Sequence, residues 1–467
     1  MSTSNPGPTG SDDRSLQKSA LTVATVTSFM GPFLISAVNV ALPVIQAEFG
    51  ADAVLLSWVA TSYLLAIAVV LIPAGKVADI YGRNKVFTWG LILYTVASFL
   101  SAFAVSIHML IFLRIFQGFG AAMFVTTGMA ILTSVFSPRE RGRVIGIYVA
   151  AVYIGLSVGP FFGGLMTQHF GWRSIFVLTA PIGAVSIFIT LKYLKGEWAD
   201  AQEERLDVVG SLLFGLSISA LVYGASLLPA GPAVVWLVMG GIGMLIFIRR
   251  QRRIDYPVFD MSLFSQNKLF AFSSLAALIN YSATFAVTFL ISLYLQYLKD
   301  MSPQTAGTVL MAQPVVMAVL SPLAGKLSDT IEPRLIASSG MTLTALGLFT
   351  FIFIDPGTAA GWILVNLGIL GFGFALFSSP NMSAIMGAVE KKYYGIASGT
   401  VATMRLLGQM LSMAIVTVIF AVVIGRAPIA PENYARFLDG VRICFGIFSG
   451  LCGVGILFSL LRGKIRT

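Results

Sequence analysis

Long runs without charged residues dominate this chain. About 20 consecutive apolar residues suffice to cross a bilayer as a helix, and runs of that length recur along the 467 residues. Charged residues make up only 11% of the sequence, whereas a soluble globular protein carries about a quarter. This composition cannot supply the surface of a soluble fold. The runs therefore predict an all-α polytopic membrane protein.

The positions of the runs predict fourteen transmembrane helices. The stretch 208–248 is long enough for two helices at about 1.5 Å per residue, and Pro229, Gly231 and Pro232 mark the turn between them. The remaining runs occupy 21–47, 53–75, 86–113, 115–138, 144–172, 174–191, 269–298, 301–325, 335–354, 356–389, 393–425 and 443–461.

The basic residues predict how these helices are oriented. Of the 30 Lys and Arg residues, 23 fall in one alternating set of loops and tails and five in the other. Basic residues concentrate in cytoplasmic loops, so we expect a multi-pass protein of the inner cell membrane with both termini in the cytoplasm. The net charge of +10 is then a topology signal, and no nucleic-acid partner is expected.

An internal repeat predicts two related halves. The segment GKVAD at 75–79 ends the second predicted helix, and GKLSD at 325–329 ends the tenth. Both lie at basic ends, as in transporters built from parallel repeats. We expect an N-terminal tail, a six-helix bundle, a linker with two inserted helices, a second six-helix bundle and a C-terminal tail, over 1–18, 19–196, 197–250, 251–461 and 462–467.

Five segments in this order resemble the major facilitator superfamily and, within it, the 14-helix drug:proton antiporters. They are VNVALP at 38–43, GKVADIYGRNK at 75–85, RIFQGFG at 114–120, the glycines and proline of 155–164, and WRSIF at 172–176 followed by PIG at 181–183. The resemblance runs through the whole chain. It implies the major facilitator fold: two six-helix bundles around a central cavity, plus two extra helices.

The resemblance also implies a function. A member of this family is a secondary active transporter that exports amphiphilic drug-like compounds by alternating access, with protons as the coupling ion. Its partners would be a small-molecule substrate, protons and the lipid bilayer, and we expect a monomer without a cofactor. The chain has no Gly-Lys-Ser/Thr nucleotide loop and only two histidines, so neither an enzyme nor a metal site is expected.

The loop after the second helix is the predicted cytoplasmic gate. The resemblance implies a latch that holds one conformation and releases in the other, whereas a static turn with a surface ion pair is the alternative, worth about 0–1 kcal/mol. In the second copy Glu332 and Pro333 stand in place of a glycine and an arginine, so a latch there would be weaker. The gate residues are Gly75, Asp79, Gly82, Arg83 and Asp329.

Small residues line one face of the fifth predicted helix. Gly155, Gly159 and Gly163 recur every four residues, which lets a partner helix approach closely, and Pro160 permits a bend. Gly164 completes the motif. A tightly packed helix pair explains the pattern, and the family implies a further role in limiting leak between the halves; the sequence does not separate these interpretations.

Charge inside the predicted membrane is cationic. All twenty acidic residues fall in tails, loops or helix ends, whereas Arg114 and Arg405 lie within spans at a cost of roughly 2.5–3.5 kcal/mol each. The antiporter family commonly has an aspartate where this chain has Leu34. Proton coupling would then use gate carboxylates or the charge of the cargo. A dedicated carrier of a small anionic or neutral metabolite is therefore the alternative function.

Polar side chains within apolar spans are the predicted lining of the substrate cavity. Each needs a hydrogen-bond partner, and interhelical hydrogen bonds are the alternative to substrate contact. Asn381 ranks highest because it follows a Ser-Ser-Pro segment that frees a backbone carbonyl. The candidates are Asn39, Arg114, Gln117, Asn280, Tyr281, Gln313, Asn381, Arg405 and Gln409.

Overall fold

The structure, a computed structural model, describes residues 10–137, 140–199, 201, 203–257, 267–328, 330–389 and 394–463. Fourteen long helices lie in this part of the chain, which confirms the predicted number and the all-α fold. The first six are α1 (Gly10–Phe49), α2 (Ala53–Tyr81), α3 (Arg83–Ser101), α4 (Ile107–Val135), α5 (Arg141–Phe170) and α6 (Arg173–Tyr193).

The later helices are α7 (Val208–Ser226), α8 (Pro232–Gln251), α9 (Lys268–Tyr297), α10 (Pro303–Ser328), α11 (Pro333–Thr350), α12 (Ala360–Gly387), α13 (Tyr394–Val423) and α14 (Tyr434–Leu461). Thirteen of the fourteen are long and apolar enough to cross a membrane, with α9 and α10 each interrupted for one residue. The fourteenth, α3, has the same 19-residue length as α7 but begins with two basic residues.

Two helix boundaries differ from those predicted. The first helix begins at Gly10, inside the segment predicted as a tail. The charge-free run 86–113 contains the turn between α3 and α4, because Ser106 caps α4 by accepting a hydrogen bond from the Met109 N–H at 3.2 Å. Arg114 therefore lies within α4 and does not mark its start. The cap, which run lengths do not reveal, sets the start of α4.

Each half of the chain packs in the same way. In the first bundle α1 contacts α5 and α6, α2 contacts α4, and α3 contacts α4 and α6; the second bundle repeats these pairs as α9 with α13 and α14, α10 with α12, and α11 with α12 and α14. The bundles meet through α2 with α13, α5 with α10, and α1 with α9. Equivalent helices thus make equivalent contacts, as expected for a parallel repeat.

The inserted helices form a peripheral hairpin. Pro232 occupies the first turn of α8, where its missing N–H is tolerated, so the turn lies where the sequence predicts it. Helix α7 packs on α8 and touches α2 and α13 beside the contact between the bundles. Much of α8 faces outward, with Val238, Ile242 and Leu245 more than half exposed. Such a surface suits contact with lipid.

Candidate functional site: the contact between the two bundles

The two bundles are joined at the side away from the α2–α3 loop, which we call the far side; the side of that loop is called the basic side. Near the far ends the Ala53 N–H donates to the Ala427 carbonyl at 3.0 Å. The Gln296 amide donates to the Val40 carbonyl at 2.9 Å, and Tyr297 donates to the Gln46 side chain. The far side is therefore closed.

Deeper contacts continue this closure toward the middle of the helices. The Thr417 hydroxyl of α13 lies 3.0 Å from the Ser57 hydroxyl and 3.1 Å from that of Thr61, both in α2. The Tyr153 hydroxyl of α5 then meets the Ser378 hydroxyl of α12 at 2.9 Å. Within the described ranges, no hydrogen bond joins the bundles on the basic side of that last pair. Access to the contact is thus from the basic side.

The small-residue motif of α5 serves two different contacts. A Cβ on Gly155 would lie 2.6 Å from the Phe29 carbonyl oxygen and one on Gly163 would lie 2.5 Å from Ala37 Cα, so this face packs directly on α1. Gly159 lies between them against Phe33 and Ser36.

The other face of the motif reaches the second bundle. Gly164 lies against the Pro303 carbonyl, and Gly307 lies against the Pro160 carbonyl. Backbone thus meets backbone between α5 and α10. Residues on one stretch of α5 contribute both to the packing within the first bundle and to the far-side closure between the bundles.

Arg405 lies at the middle of the contact without a partner. It is half-buried in α13, and its side chain makes no hydrogen bond or ion pair to any residue that the structure describes. It is close enough to interact electrostatically with Tyr148 of α5 and Tyr281 of α9. Both tyrosines are buried, and the Tyr281 ring packs edge-on against Phe374 at 5.4 Å. The guanidinium of Arg405 thus has donors without a described partner and lies within electrostatic range of tyrosines from both bundles.

Arg114, in contrast, is fully partnered inside the first bundle. Its guanidinium donates to the Val59 carbonyl at 3.1 Å and to the Gln117 side chain at 2.5 Å, and it lies 4.1 Å from the centre of the Tyr63 ring. Gln117 in turn donates to the Ser98 hydroxyl at 2.6 Å. Arg114 is 1% exposed and Gln117 is 0% exposed. This network ties α2, α3 and α4 together, and for both residues we propose a structural role.

Asn381 belongs to a second buried network, near the basic side. Its amide donates to the Ser273 carbonyl at 3.1 Å and its oxygen accepts from Arg462 at 2.7 Å. Arg462 is only 2% exposed although it begins the segment predicted as a tail. Burial lowers its pKa to about 10, an effect that nearby Glu332 opposes. The network joins α9, α12 and the end of α14.

The remaining polar candidates are dispersed. Asn280 is completely buried, and neither its side-chain oxygen nor its side-chain nitrogen has a hydrogen-bond partner among the described residues. Asn39 is buried, and its side-chain oxygen has no partner in the same part of the chain. The Asn39 carbonyl accepts from Ser292 at 3.0 Å across the far-side contact. Gln409 is 6% exposed one turn beyond Arg405, and Gln313 is half-buried in α10. Of the predicted set, Arg114 and Gln117 pair inside the first bundle, and Tyr281 and Arg405 lie within electrostatic range of each other at the contact between the bundles.

The predicted gate residues lie around an ion pair at the basic end of α2. Two guanidinium nitrogens of Arg83 donate to the same Asp79 oxygen at 2.8 and 2.9 Å, and the third donates to Ser134 of α4 at 2.8 Å. Gly82 has φ of +119°, a backbone conformation that favours glycine. A Cβ on Gly75 would have no described atom within 4 Å. Asp329 lies outside the described residues.

The linker after α6 covers this loop. The Ala201 N–H donates to the Asp79 carbonyl at 2.9 Å, and the Arg83 N–H donates to the Trp198 carbonyl at 2.9 Å. The Glu197 carboxylate accepts from the first free N–H groups of α3, with 2.8 Å to the Asn84 nitrogen. Lys76 pairs with Glu204. The linker thus attaches the hairpin to the gate loop.

Carboxylates are absent from the middle of the described spans. Among the carboxylates near the far side, that of Asp439 lies deepest within a helix. Asp439 is in the second turn of α14, and its side chain is 62% exposed. Leu34, at the position where the family commonly has an aspartate, is fully buried. The described centre of the contact therefore contains a cation and hydroxyls.

Several residues of this site were not predicted. Tyr148 and Tyr153 of α5 and Ser378 of α12 resemble many other aromatic and hydroxyl residues of apolar helices, so the sequence offers no signal for them. Arg462 was missed because a run of basic residues at a chain end is typical of a tail. The docking of Glu197 depends on contacts more than 100 residues apart in sequence.

Comparison with known proteins agrees with this architecture. The family model described as Major Facilitator Superfamily matches residues 24–413 and 273–466. The riboflavin transporter RibZ of Clostridioides difficile is 30% identical over 94% of this chain and 96% of its own length. The multidrug resistance protein Stp of Mycobacterium tuberculosis is 34% identical over 82% of this chain and 72% of its own, and the drug efflux pump JefA of the same species is 30% identical over 84% and 78%.

Solved structures show the same fold. A mutant of the peptide transporter POT in complex with alafosfalin superposes with a TM-score of 0.69, at 13% identity, over 97% of this chain and 98% of that one. The predicted resemblance is thus confirmed by the family match, by named transporters and by the fold. The chain belongs to the Major Facilitator Superfamily, whose members of this kind are membrane transporters and not enzymes.

Proposed function

We propose that this protein exports amphiphilic drug-like compounds by alternating access, with its basic side in the cytoplasm of the cell and with protons as the coupling ion. The excess of Lys and Arg in the loops of that side supports the orientation. The far-side hydrogen bonds from Ala53–Ala427 to Tyr153–Ser378 support an inward-open conformation. In that state cargo would enter from the cytoplasm.

Arg405 is the observation that carries the proposal. Its guanidinium has no partner among the described residues, and a half-buried cation in a membrane span is costly unless it faces water or a ligand. Hydrogen-bond acceptors on a cargo would satisfy its donors, and Tyr148 and Tyr281 lie within electrostatic range of the guanidinium. The site favours neutral or anionic amphiphiles over permanent cations.

Proton coupling through this site would not use an acid in the middle of the membrane. Asp79 is the carboxylate of the gate, and its hydrogen bonds to Arg83 place it at the basic end of α2. Protons would therefore act at such peripheral carboxylates or through the charge of the cargo. In either case a pH gradient would drive net flux.

A dedicated carrier of a small anionic or neutral metabolite is the second candidate. Two observations favour it: the buried Leu34 in place of an acid, and the similarity to a riboflavin transporter along 94% of this chain. A dedicated carrier and a drug exporter share the mechanism and differ in the breadth of the cargo.

Transport by purified protein in liposomes under an imposed pH gradient would test the proposal. Cationic, neutral and anionic aromatic probes would be compared, with Arg405→Gln as the variant and Arg436→Gln, an exposed arginine on the far side, as the matched control. We expect Arg405→Gln to lower anion transport and affinity by about tenfold or more with an unchanged melting temperature. Transport of one compound only would favour the dedicated carrier, and unchanged anion transport would remove the role of Arg405.

A further inference from the structure

The hairpin of α7 and α8 carries a concentrated positive charge at its basic-side end. Arg249 and Arg250 end α8, and Arg252 and Arg253 follow at once. Cations favour a helix C-terminus because they complement its dipole. One or two charges in the last turn are enough to complement the dipole, so the dipole does not account for all four arginines.

Three of these arginines line a cavity of about 400 Å³ beside apolar side chains. The cavity is open to one side, and the apolar part of its wall is formed by Val209, Leu213, Ile246 and Ile254. Basic and apolar side chains thus lie side by side at the end of a membrane hairpin. This arrangement complements an anionic phospholipid, whose charged headgroup continues into apolar acyl chains.

Only one arginine of the cavity is neutralised. Arg250 pairs with the nearly buried Asp207 at 2.7 Å, and the Gln251 amide donates to the same carboxylate at 2.8 Å. Arg249 and Arg253 are exposed, and their side chains make no hydrogen bond or ion pair to any residue in the described ranges. Asp207 therefore fixes the shape of the wall, and the two remaining guanidinium groups present free donors to the cavity.

The outer surface of the hairpin continues the apolar floor. Leu212, Leu216 and Leu245 are 58%, 69% and 60% exposed on α7 and α8. Acyl chains of a lipid seated in the cavity would run along this surface, whereas a free phosphate would leave the apolar wall uncovered. We propose that the cavity binds an anionic phospholipid, with Arg249 and Arg253 holding its phosphate. This assignment is independent of the identity of the cargo.

Lipid retention by the full-length protein would test the site. Protein in mild detergent would be exposed to phosphatidylglycerol or to phosphatidylcholine, and the bound lipid measured by native mass spectrometry. The variant is Arg249→Gln with Arg253→Gln. The control is Arg143→Gln with Arg252→Gln, two exposed arginines of the same side with the same change in net charge that do not line the cavity.

We expect preferential retention of phosphatidylglycerol by the wild type and the control, and a loss of affinity on the order of tenfold or more in the cavity variant. Melting temperature, measured on the same samples, and probe transport, measured after reconstitution into liposomes, show that the variant is folded. An equal loss of lipid affinity in the control would show that binding depends only on the overall positive charge of this side, and it would overturn the proposal. Equal binding of phosphatidylcholine would overturn it as well. If inorganic phosphate bound through the same two arginines and displaced the lipid, the cavity would instead be a site for a free anion, and the lipid proposal would be wrong.

Discussion

Tyr153 and Ser378 join the two bundles inside the protein, with their hydroxyl oxygens 2.9 Å apart on α5 and α12. The hydroxyl of Tyr281, on α9, interacts with both members of this pair. The remaining hydrogen bonds between the bundles in the described ranges lie closer to the far side. The pair therefore marks the inner end of the closed half of the contact. Beyond it, toward the basic side, lie Tyr148 and the unpartnered Arg405.

A double-mutant cycle on this pair would measure its strength. Tyr153→Phe and Ser378→Ala each remove one hydroxyl, and because the pair is partly buried we expect a coupling free energy of about 0.5–1.5 kcal/mol. The measurement is the free energy of unfolding of the four variants in mixed micelles. Additive effects of the two substitutions would show that the hydroxyls do not interact.

Gly159 limits the distance between α1 and α5. A methyl group at this position would collide with Ser36 Oγ and lie 2.9 Å from the Phe33 carbonyl oxygen, so we expect Gly159→Ala to destabilise the protein by about 1–3 kcal/mol. Gly146→Ala is the matched control on the same helix, since nothing lies within 4 Å of its Cβ. The control gains helix propensity and should melt no lower than the wild type. Equal melting temperatures for both variants would contradict the close contact.

Gly164 limits the distance between the bundles at the far side. Its Cβ would collide with the Pro303 carbonyl of α10, so Gly164→Ala should weaken the closed contact and increase opening toward the far side. The readout is maleimide labelling of Ser57→Cys, a position completely buried between α2 and α13. The two native cysteines are fully buried and give little background.

We expect labelling in the Gly164→Ala background to rise about fivefold, because one kcal/mol changes a two-state ratio by that factor. Gly146→Ala combined with Ser57→Cys is the control and should label at the same rate as Ser57→Cys alone. If neither Gly164→Ala nor Gly146→Ala changed the labelling rate of Ser57→Cys, the contact of Gly164 would not be what holds the far side closed.

Asp207 makes the hairpin sensitive to acid. Burial alone would raise the pKa of its carboxyl, but hydrogen bonds from Arg250, the Gly210 N–H and Gln251, with the charge of Arg250, hold the pKa below its ordinary value. A lowered pKa stabilises the fold above the ordinary carboxyl pKa, and the contribution is lost as the pH falls through the lowered value. Asp207→Asn should therefore lower the melting temperature at neutral pH and differ less from the wild type in acid. Asp255→Asn, an exposed neighbour, is the control and should follow the wild type at every pH.

Glu197 holds the linker on the gate loop. Its carboxylate accepts from the Asn84 and Lys85 N–H groups at the start of α3, at 2.8 and 3.3 Å. Removing such a cap costs about 1 kcal/mol, so Glu197→Ala should accelerate hydrogen exchange in the linker and the first turn of α3. Glu203→Gln, an exposed linker residue, is the control. Unchanged exchange in both variants would show that the linker is held by its backbone hydrogen bonds alone.

The sequence predicted the number of helices and the glycine contacts because both depend on short-range patterns. A charge-free run of sufficient length must be helical in a bilayer, and glycines four residues apart must share a face. Helix ends were harder to predict: the charge-free run extends to residue 113, whereas the cap that starts α4 is Ser106, seven residues earlier.

The roles of the polar residues were not accessible in the same way. Arg114 and Arg405 look alike in sequence, each a lone arginine in an apolar span with glutamine nearby. In the structure Arg114 is enclosed by Val59, Gln117 and Tyr63, while Arg405 has no described partner. Asn381 pairs with Arg462, which comes from a different helix 81 residues further along the chain.

By itself the sequence determined a membrane protein of two repeated helical bundles with a basic side, because transfer of backbone and charge into lipid follows local composition. Tertiary structure alone decided which arginine is satisfied and which has no described partner, which side of the contact is closed, and that the linker covers the α2–α3 loop. These outcomes depend on partners distant in sequence, since a buried hydrogen bond forms only where packing brings its donor and acceptor within about 3 Å.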